Sequence, residues 1–272
     1  MNRKPELARA EFERIAVMIK SQTGMDYKPG KETLVRQRLA NRLQALQKTS
    51  YGEYLDFVES ESSKKEMTRF IDLLTTNKTS FFRENAHFEF LTEHWIPQVE
   101  SESPRKLRLW SSACSSGQEP YSIAMHLSDK LSSKMLHRTR ILATDLSTDI
   151  LAKAQRGVYS ADVAEELSEV QRSQYLEKSR GSSGNYRVKN TLRSHIHFAQ
   201  LNLMERWPMR GPFDVIFCRN VMIYFDKPTQ ERLVNRFYDL LDEGGYLFIG
   251  HAESLSGTKH KYNYIKPAVW QK

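Results

Sequence analysis

The chain has 272 residues, 39% of them hydrophobic, 27% charged and 11% aromatic. That balance excludes both a disordered polyelectrolyte and a membrane-embedded chain, and the length suffices for one large or two modest domains. No run approaches the roughly eighteen apolar residues of a bilayer span, and residues 1–10 lack the apolar core of a signal peptide, so a cytoplasmic protein is expected. The two cysteines, Cys114 and Cys218, lie far apart without metal-ligand spacing; two packed, reduced thiols and no metal are expected. The net charge of +8, from 41 Lys and Arg against 33 Asp and Glu, points to an acidic partner without naming it.

The first eighty or so residues read as helical. Phe12, Ile15, Ala16 and Ile19 form one apolar face, and Gly24 is placed to end that helix. A second helix is expected over residues 33–47, with Val35, Leu39, Leu43 and Leu46 buried. Lys31, Arg38 and Arg42 then fall on one flank of that stripe, at about 100° per residue. Residues 1–50 carry eleven Lys or Arg against five Asp or Glu, so most of the excess charge lies here; a charge run of this kind is ordinarily a solvated face. Ser50 and Glu53 have capping-box spacing ahead of a third helix containing Tyr51, Tyr54, Leu55 and Val58. Met67, Phe70, Ile71 and Leu74 supply a fourth.

Residues 75–84, TTNKTSFFRE, are too dense in hydroxyl and amide groups for a helix interior, because such side chains compete with the backbone for hydrogen bonds. Residues 100–105 suit a linker better, which leaves the polar cluster in want of another role. Residues 107–110 then read as a strand and residues 111–118 as a tight loop. A helix opens at Glu119-Pro120 and repeats Ile123, Leu127 and Leu131 at helical spacing. A helix N-terminus facing a strand end is a place for a ligand. A second strand, residues 139–143, closes at Thr144-Asp145, and a helix runs from there to Gly157. Asp145 stands where an acidic residue accepts hydrogen bonds from a ribose diol, although a lone Asp at a strand end is commonly a cap.

From residue 158 to 198 the pattern loosens. A turn signal at residues 180–185 stands beside Tyr186-Arg187-Val188 and Ile196-His197-Phe198, which read as short antiparallel strands, with His195 and His197 in packing or surface roles. Regularity returns with the strand 213–218, followed by Arg219-Asn220 and Tyr224. A helix starting at Pro228 carries Leu233, Phe237, Leu240 and Leu241, and a further strand covers residues 246–249. Strand, helix, strand implies a parallel sheet with right-handed crossovers. The segment 262–270 suits an edge strand.

There is no G-x-S-x-G elbow, P-loop or H-E-x-x-H motif. The first loop holds a single glycine, Gly117, which disfavours a pyrophosphate-binding dehydrogenase. The residues falling at the carboxyl ends of the strands are the loop 111–119, Asp145, Asn202-Leu203 and Arg219-Asn220, with Tyr224 nearby.

The segments TTNKTSFFRE, WSSACSSGQEPYSIAM, ATDLS, GPFDVIFCRNVMIYFDKPTQ and GYLFIGHAESL, in that order, resemble the chemotaxis receptor methyltransferases of the CheR family. The resemblance implies an α/β fold: a Rossmann-like class I methyltransferase sheet with a small all-helical N-terminal domain and a small inserted antiparallel β subdomain. It divides the chain into a helical domain at 1–76, a motif loop and linker at 77–105, and a cofactor domain at 106–272 with the insertion at about 172–198. It further implies transfer of a methyl group from S-adenosylmethionine to glutamate side chains on the cytoplasmic helical bundle of chemoreceptors, leaving S-adenosylhomocysteine. By that resemblance Asn77, Thr79, Arg83, Glu119, Asp145, Asn202, Leu203, Arg219 and Asn220 contact the cofactor, and Arg83 and Tyr224 flank the transferred methyl. One glycine, acidic Glu119 and Asp145 suit a cationic, phosphate-free nucleoside, which S-adenosylmethionine is. Gln118 and Cys114 depart from the family pattern without disturbing a ligand.

The basic flank gains a role on this reading. Lys31, Arg38 and Arg42 become candidates for steering an acidic receptor bundle into the site. Recruitment to membrane receptor arrays, without insertion into the membrane, follows. Some family members also dock a receptor's C-terminal tether on the β subdomain, and the sequence leaves open whether this chain does. A nucleic-acid methyltransferase lacks support, since aromatic-basic interleaving and an N-P-P-Y-type motif are absent, and no nucleic-acid partner is expected. A non-catalytic cofactor sensor is disfavoured by the presence of both Arg83 and Tyr224.

Overall fold

The computed structural model describes residues 5–60, 64–101, 105–179 and 184–272. Its internal contacts separate two units, Met1–Thr76 with Tyr224–Thr229, and Asn77–Ile223 with Gln230–Lys272.

The first unit is built from α1 (Arg9–Thr23), α2 (Glu32–Ala45), α3 (Tyr51–Glu59) and α4 (Lys64–Leu74). Most of the apolar stripe expected from the spacing is buried: Phe12, Ile15 and Ile19 on α1, Val35, Leu39 and Leu43 on α2, Tyr51, Tyr54, Leu55 and Val58 on α3; Ala16 and Leu46 are half-buried, Leu46 because α2 ends at Ala45. Gly24 ends α1 in the left-handed conformation at φ 77°, donating its N–H to the Lys20 carbonyl. The expected capping box at α3 is only half formed. Ser50 Oγ accepts the Glu53 N–H, whereas the Glu53 carboxylate accepts from Thr49 N (2.9 Å) and from Lys48 Nζ (3.0 Å). A neighbouring lysine outbids the cap amide for a carboxylate.

Segment 224–229 adds an extended contact to this unit. Asp26 N donates to the Tyr224 carbonyl (2.7 Å), Met25 and Phe225 form an antiparallel bridge, and Lys20 Nζ lies 3.1 Å from Asp26 Oδ1 and 2.9 Å from Asp226 Oδ2.

The second unit opens with α5 (Ala86–Phe90), which passes through a π turn at Leu91–Trp95 into α6 (Ile96–Ser101). Then come β1 (Leu107–Ser111), α7 (Gln118–Lys130), α8 (Ser133–His137), β2 (Thr139–Asp145), α9 (Thr148–Arg156), β3 (Val158–Tyr159), α10 (Ala161–Ala164) and α11 (Glu169–Tyr175). The remainder is β4 (Leu176–Lys178), β5 (Tyr186–Val188), α12 (Asn190–Arg193), β6 (Ile196–Gln200), β7 (Phe213–Cys218), α13 (Lys227–Leu240), β8 (Leu241–Ile249), β9 (Asn263–Lys266) and β10 (Val269–Gln271). The large sheet has the order β6-β2-β1-β7-β8-β10-β9. Its first five strands run parallel, while β10 is antiparallel to both neighbours. All six residues of β7 are buried, as a central parallel strand covered on both faces requires. The core between sheet and helices includes Phe217 stacked on Phe248 at 4.9 Å and Trp110 packed on Phe213, Trp207 and Phe237. Among the described residues no helix is long and apolar enough to cross a membrane.

Two strand assignments differ from the sequence expectation. Ile196–Phe198 does not join a small antiparallel sheet; it lies in β6, the parallel edge strand that pairs Ile196 with Ile141 and Phe198 with Ala143. Its alternating exposure is that of an edge strand covered on one face, which looks the same in sequence for a parallel or an antiparallel partner. The small sheet is instead β3-β5-β4. The segment expected as one edge strand is a hairpin, β9 and β10, because Pro267 lacks a ladder N–H and Ala268 turns at φ 65°. The turn expected at residues 180–185 falls mainly on 180–183, which lie outside the described residues.

Candidate functional site

Strand order reverses between β1 and β7, and the crevice outside the carboxyl ends there is where an open parallel sheet takes its ligand. The loop after β1 is built for a fixed shape. Ser112 N and Oγ both donate to the Phe217 carbonyl at 2.9 Å, and Cys114 N donates to the Thr144 carbonyl at 2.8 Å. Gly117 caps α7 at φ 97°, and an added Cβ would lie 3.0 Å from Ala154 Cβ and Tyr159 Oη. Asp145 accepts N–H groups from Ser115 (2.8 Å) and Ser147 (3.0 Å), so it closes β2 as a cap while holding this loop. Ser115 Oγ in turn donates to the Asn77 carbonyl (2.8 Å), bringing the TTNKTSFFRE segment to the strand ends.

A charged network crosses the same end of the sheet. Arg219, directly after β7 and almost fully buried, donates through Nε and Nη2 to Glu84 Oε2 (3.2 and 3.0 Å), through Nη1 to Glu119 Oε2 (3.1 Å), and to the Arg83 carbonyl. Glu119 Oε1 accepts from Ser111 Oγ at 2.7 Å. Glu84 Oε1 accepts from Asn220 Nδ2 and from His251 N, both 3.2 Å. Arg83 Nη1 donates to the Lys78 carbonyl (3.1 Å) and Nη2 to Asn220 Oδ1 (2.9 Å). Burial pushes the Glu119 carboxyl up, and Arg219 and Ser111 only partly offset that. Burial raises Glu84 as well, but Arg219 and the donors from His251 and Asn220 outweigh it and hold that carboxyl below its ordinary value.

Among the described residues, four of the six non-glycine positions with positive φ belong here: Phe82 (47°), Glu84 (57°), Ser115 (49°) and Asn220 (58°). Backbone held in this sparsely populated region clusters at functional sites. Glu84, His87 and His251 also place three potential metal-ligand atoms within 4.8 Å of one another. The Glu84 oxygens there are taken up by Arg219, Asn220 and the His251 amide.

Of the sequence candidates, Asn77 is tied to Asp145 through Ser115, and the charged network ties Arg83, Asn220, Arg219 and Glu119 together. Thr79 lies half-buried in the same segment. Asn202 and Leu203 follow β6; Asn202 Oδ1 accepts from Met204 N (3.0 Å), and the Leu203 carbonyl accepts from Arg236 (2.7 Å) and Trp207 (3.2 Å). Tyr224 belongs to the first unit, as described above. There too, Arg38 donates to the Leu74 and Thr75 carbonyls and to Thr76 Oγ1, which caps the end of α4, and Arg42 is paired with buried Glu66. Lys31 is exposed. Sequence reasoning missed Glu84 as the partner of Arg219.

The family model described as CheR methyltransferase, SAM binding domain, matches residues 77–269, and the one described as CheR methyltransferase, all-alpha domain, matches residues 10–75. The chain belongs to the CheR methyltransferase family. It is 41% identical over 258 residues to the chemotaxis protein methyltransferase of Klebsiella aerogenes, covering 94% of this chain and 87% of that one. Identity to the Escherichia coli chemotaxis protein methyltransferase is 39% over 272 residues, with 99% and 93% covered. A probable chemotaxis protein methyltransferase of Rhizobium etli is 40% identical over 252 residues, with 91% and 94% covered.

The residues present fit this family's cofactor. Glu119, in the first turn of α7, and Asp145, at the end of β2, repel phosphate, whereas the cationic sulfonium of S-adenosylmethionine tolerates acidic walls.

Proposed function

We propose that this CheR-family chain methylates glutamate side chains on the cytoplasmic helical bundle of chemoreceptors, as a protein-glutamate O-methyltransferase recruited to membrane receptor arrays. The observation that carries the reading is Arg83, held at the strand ends by hydrogen bonds to the Lys78 carbonyl and to Asn220 while its side chain stays 37% exposed. A guanidinium has about five N–H donors, so others remain to orient an incoming carboxylate.

S-adenosylmethionine, when bound, supplies an electrophilic methyl group. A glutamate of ordinary pKa, about 4.3, is ionised at neutral pH and needs no general base. The protein's task is therefore alignment and exclusion of water. Asp145 is proposed to take the ribose hydroxyls, and Asn77, Thr79, Glu119, Asn202, Leu203, Arg219 and Asn220 to line the remainder of the cofactor. In that scheme Glu119 acts largely through Arg219, its partner at 3.1 Å. Arg83 orients the glutamate, and Tyr224 is assigned to the reacting centre on the family pattern.

The domain roles follow. Residues 1–76 face the receptor, residues 77–105 carry the motif loop, and residues 106–272 hold the cofactor. Exposed Lys31 steers the acidic bundle, while Arg38 and Arg42 present the helix that bears it. A receptor C-terminal tether, where one exists, is assigned to the small sheet β3-β5-β4.

Incubation with labelled S-adenosylmethionine and a receptor cytoplasmic fragment should place label on glutamates, and mild base should release it as methanol. Label that resists base, or none on the receptor, refutes this function. Receptor fragments with and without their last residues decide the tether.

A further inference from the structure

Glu253 lies beyond β8 and does not touch the Arg83–Glu84–Arg219–Glu119 network. Its carboxylate nevertheless joins the carboxyl ends of two neighbouring parallel strands. Oε2 accepts the N–H of Gly250 (2.6 Å) and of Asn220 (2.9 Å), and Oε1 accepts the N–H of Ile223 (3.1 Å). Backbone amides from two turns therefore converge on one side chain.

Space is as restricted as the hydrogen bonding. A Cβ on Gly250 would lie 2.9 Å from Asn220 N and from Glu253 Oε2, and 3.0 Å from Asn220 Cγ. Asn220 itself sits at φ 58°, a conformation that a non-glycine residue keeps only when its surroundings hold it there. From that backbone its side chain accepts the Arg83 hydrogen bond (2.9 Å) and donates to Glu84 (3.2 Å). The path from Glu253 to the Arg83 guanidinium thus runs through a single residue.

We propose that Glu253 is a positioning residue for methyl transfer, holding Asn220 in its left-handed turn so that Asn220 can place Arg83 and the adjoining cofactor contacts. The proposal rests on the methyltransferase reading above. It assigns Glu253 no contact with cofactor or substrate.

Three variants of the full chain test it: Glu253→Ala removes every acceptor, Glu253→Gln keeps one oxygen able to serve Gly250 and Asn220, and Gly250→Ala pushes on the Asn220 backbone. S-adenosylhomocysteine affinity by calorimetry, amide exchange of residues 220, 223 and 250 in the cofactor-free protein, and kcat and KM with a receptor fragment are measured for each. Glu253→Ala should weaken S-adenosylhomocysteine binding by about tenfold or more and lower kcat by a similar factor, with receptor KM within about twofold. Exchange at Asn220 and Ile223 should quicken. Glu253→Gln should recover much of the loss, and Gly250→Ala should reproduce it. Should Glu253→Ala fail to fold, the other two variants carry the same comparison.

Affinity, exchange and kcat all within about twofold of the parent would overturn the proposal, as would a Gln variant no better than Ala in a folded protein. A parent chain that binds S-adenosylhomocysteine and leaves receptor glutamates unmodified would refute the function instead, and affinity and exchange would still decide the role of Glu253.

Discussion

Arg219 Nη1 lies 3.1 Å from Glu119 Oε2, an ion pair that bonds the end of β7 to the first turn of α7. The same guanidinium serves Glu84, so one buried cation neutralises two carboxylates. Arg219→Met should deprive both acids of their buried counter-charge, leaving Arg83 at 4.0 Å from Glu84, and cost roughly 3–5 kcal/mol in urea unfolding. Glu119→Gln keeps the Ser111 bond and removes a charge that burial already disfavours, so its cost should be less than about 1 kcal/mol. The pH dependence separates them further. Because burial raises the folded-state pKa of Glu119, its contribution is present below the unfolded value and lost as pH rises through the folded one. The Gln variant should lack that loss.

The cations on and beside α2 divide into those with structural partners and those that are exposed. Arg42 pairs with Glu66, whose side chain is 6% exposed and also receives the Tyr54 hydroxyl at 2.9 Å. Arg42→Glu should therefore destabilise the helical unit by about 3 kcal/mol or more, and a loss of receptor methylation in that variant would say little about recognition. Lys31→Glu and Arg36→Glu alter exposed residues. Their melting temperatures should stay within about 2 °C of the parent, with receptor KM raised severalfold at low salt and the difference fading as salt is added. Unchanged receptor kinetics in the double variant would remove this helix from the receptor interface.

His87 gives the fold an acid-sensitive point. It is fully buried, both ring nitrogens lack a hydrogen-bond partner among the described residues, and its ring meets Phe248 and His251 at 5.1 Å. Burial, with the charge of Arg219 added, pushes its pKa down to about 3. The unfolded chain takes up a proton near the ordinary value of 6.5 and the folded chain does not, so stability is present above that value and is lost as pH falls towards 3. His126, held down to about 4 by burial, adds to the same slope. His87→Phe removes one titrating group and keeps the aromatic packing. Between about pH 8 and pH 5 the parent should lose roughly 2 kcal/mol relative to this variant. Parallel stability curves would show that His87 is protonated in the folded state after all.

Much of this architecture is legible in the sequence because apolar spacing is a local property. The stripe Val35, Leu39, Leu43 and the unbroken run Phe213–Cys218 state their periods within a few residues, and the structure buries them accordingly. Partner choice is not local. Ile196–Gln200 alternates as any edge strand does, and only its pairing with β2 reveals a parallel neighbour. The same holds at the site. Asp145 announces itself by closing an apolar strand, whereas the link between Glu84 and Arg219 joins residues 135 positions apart and leaves no local pattern. The double duty of Arg38 is hidden likewise, since helical spacing places it on a face but does not disclose the Leu74 and Thr75 carbonyls that occupy it.

Arg83 gives the sharpest test of the chemistry. Its side chain is 37% exposed, it donates to the Lys78 carbonyl and to Asn220, and its one ion pair among the described residues is a long one, 4.0 Å to Glu84, which keeps Arg219 as its closer partner. Arg83→Ala should fold with a melting temperature within about 3 °C of the parent, because surface-accessible substitutions of this kind cost little. If it orients the substrate carboxylate, kcat on a receptor fragment should fall by about a hundredfold or more, since loss of alignment acts on the barrier rather than on encounter. Arg83→Lys keeps the charge without the planar fork, and it should recover only a minor part of that loss. S-adenosylhomocysteine affinity apportions the effect: a fall matching the loss in kcat/KM would make Arg83 a cofactor ligand, and unchanged affinity would place it on the glutamate. Full turnover by Arg83→Ala would exclude both roles.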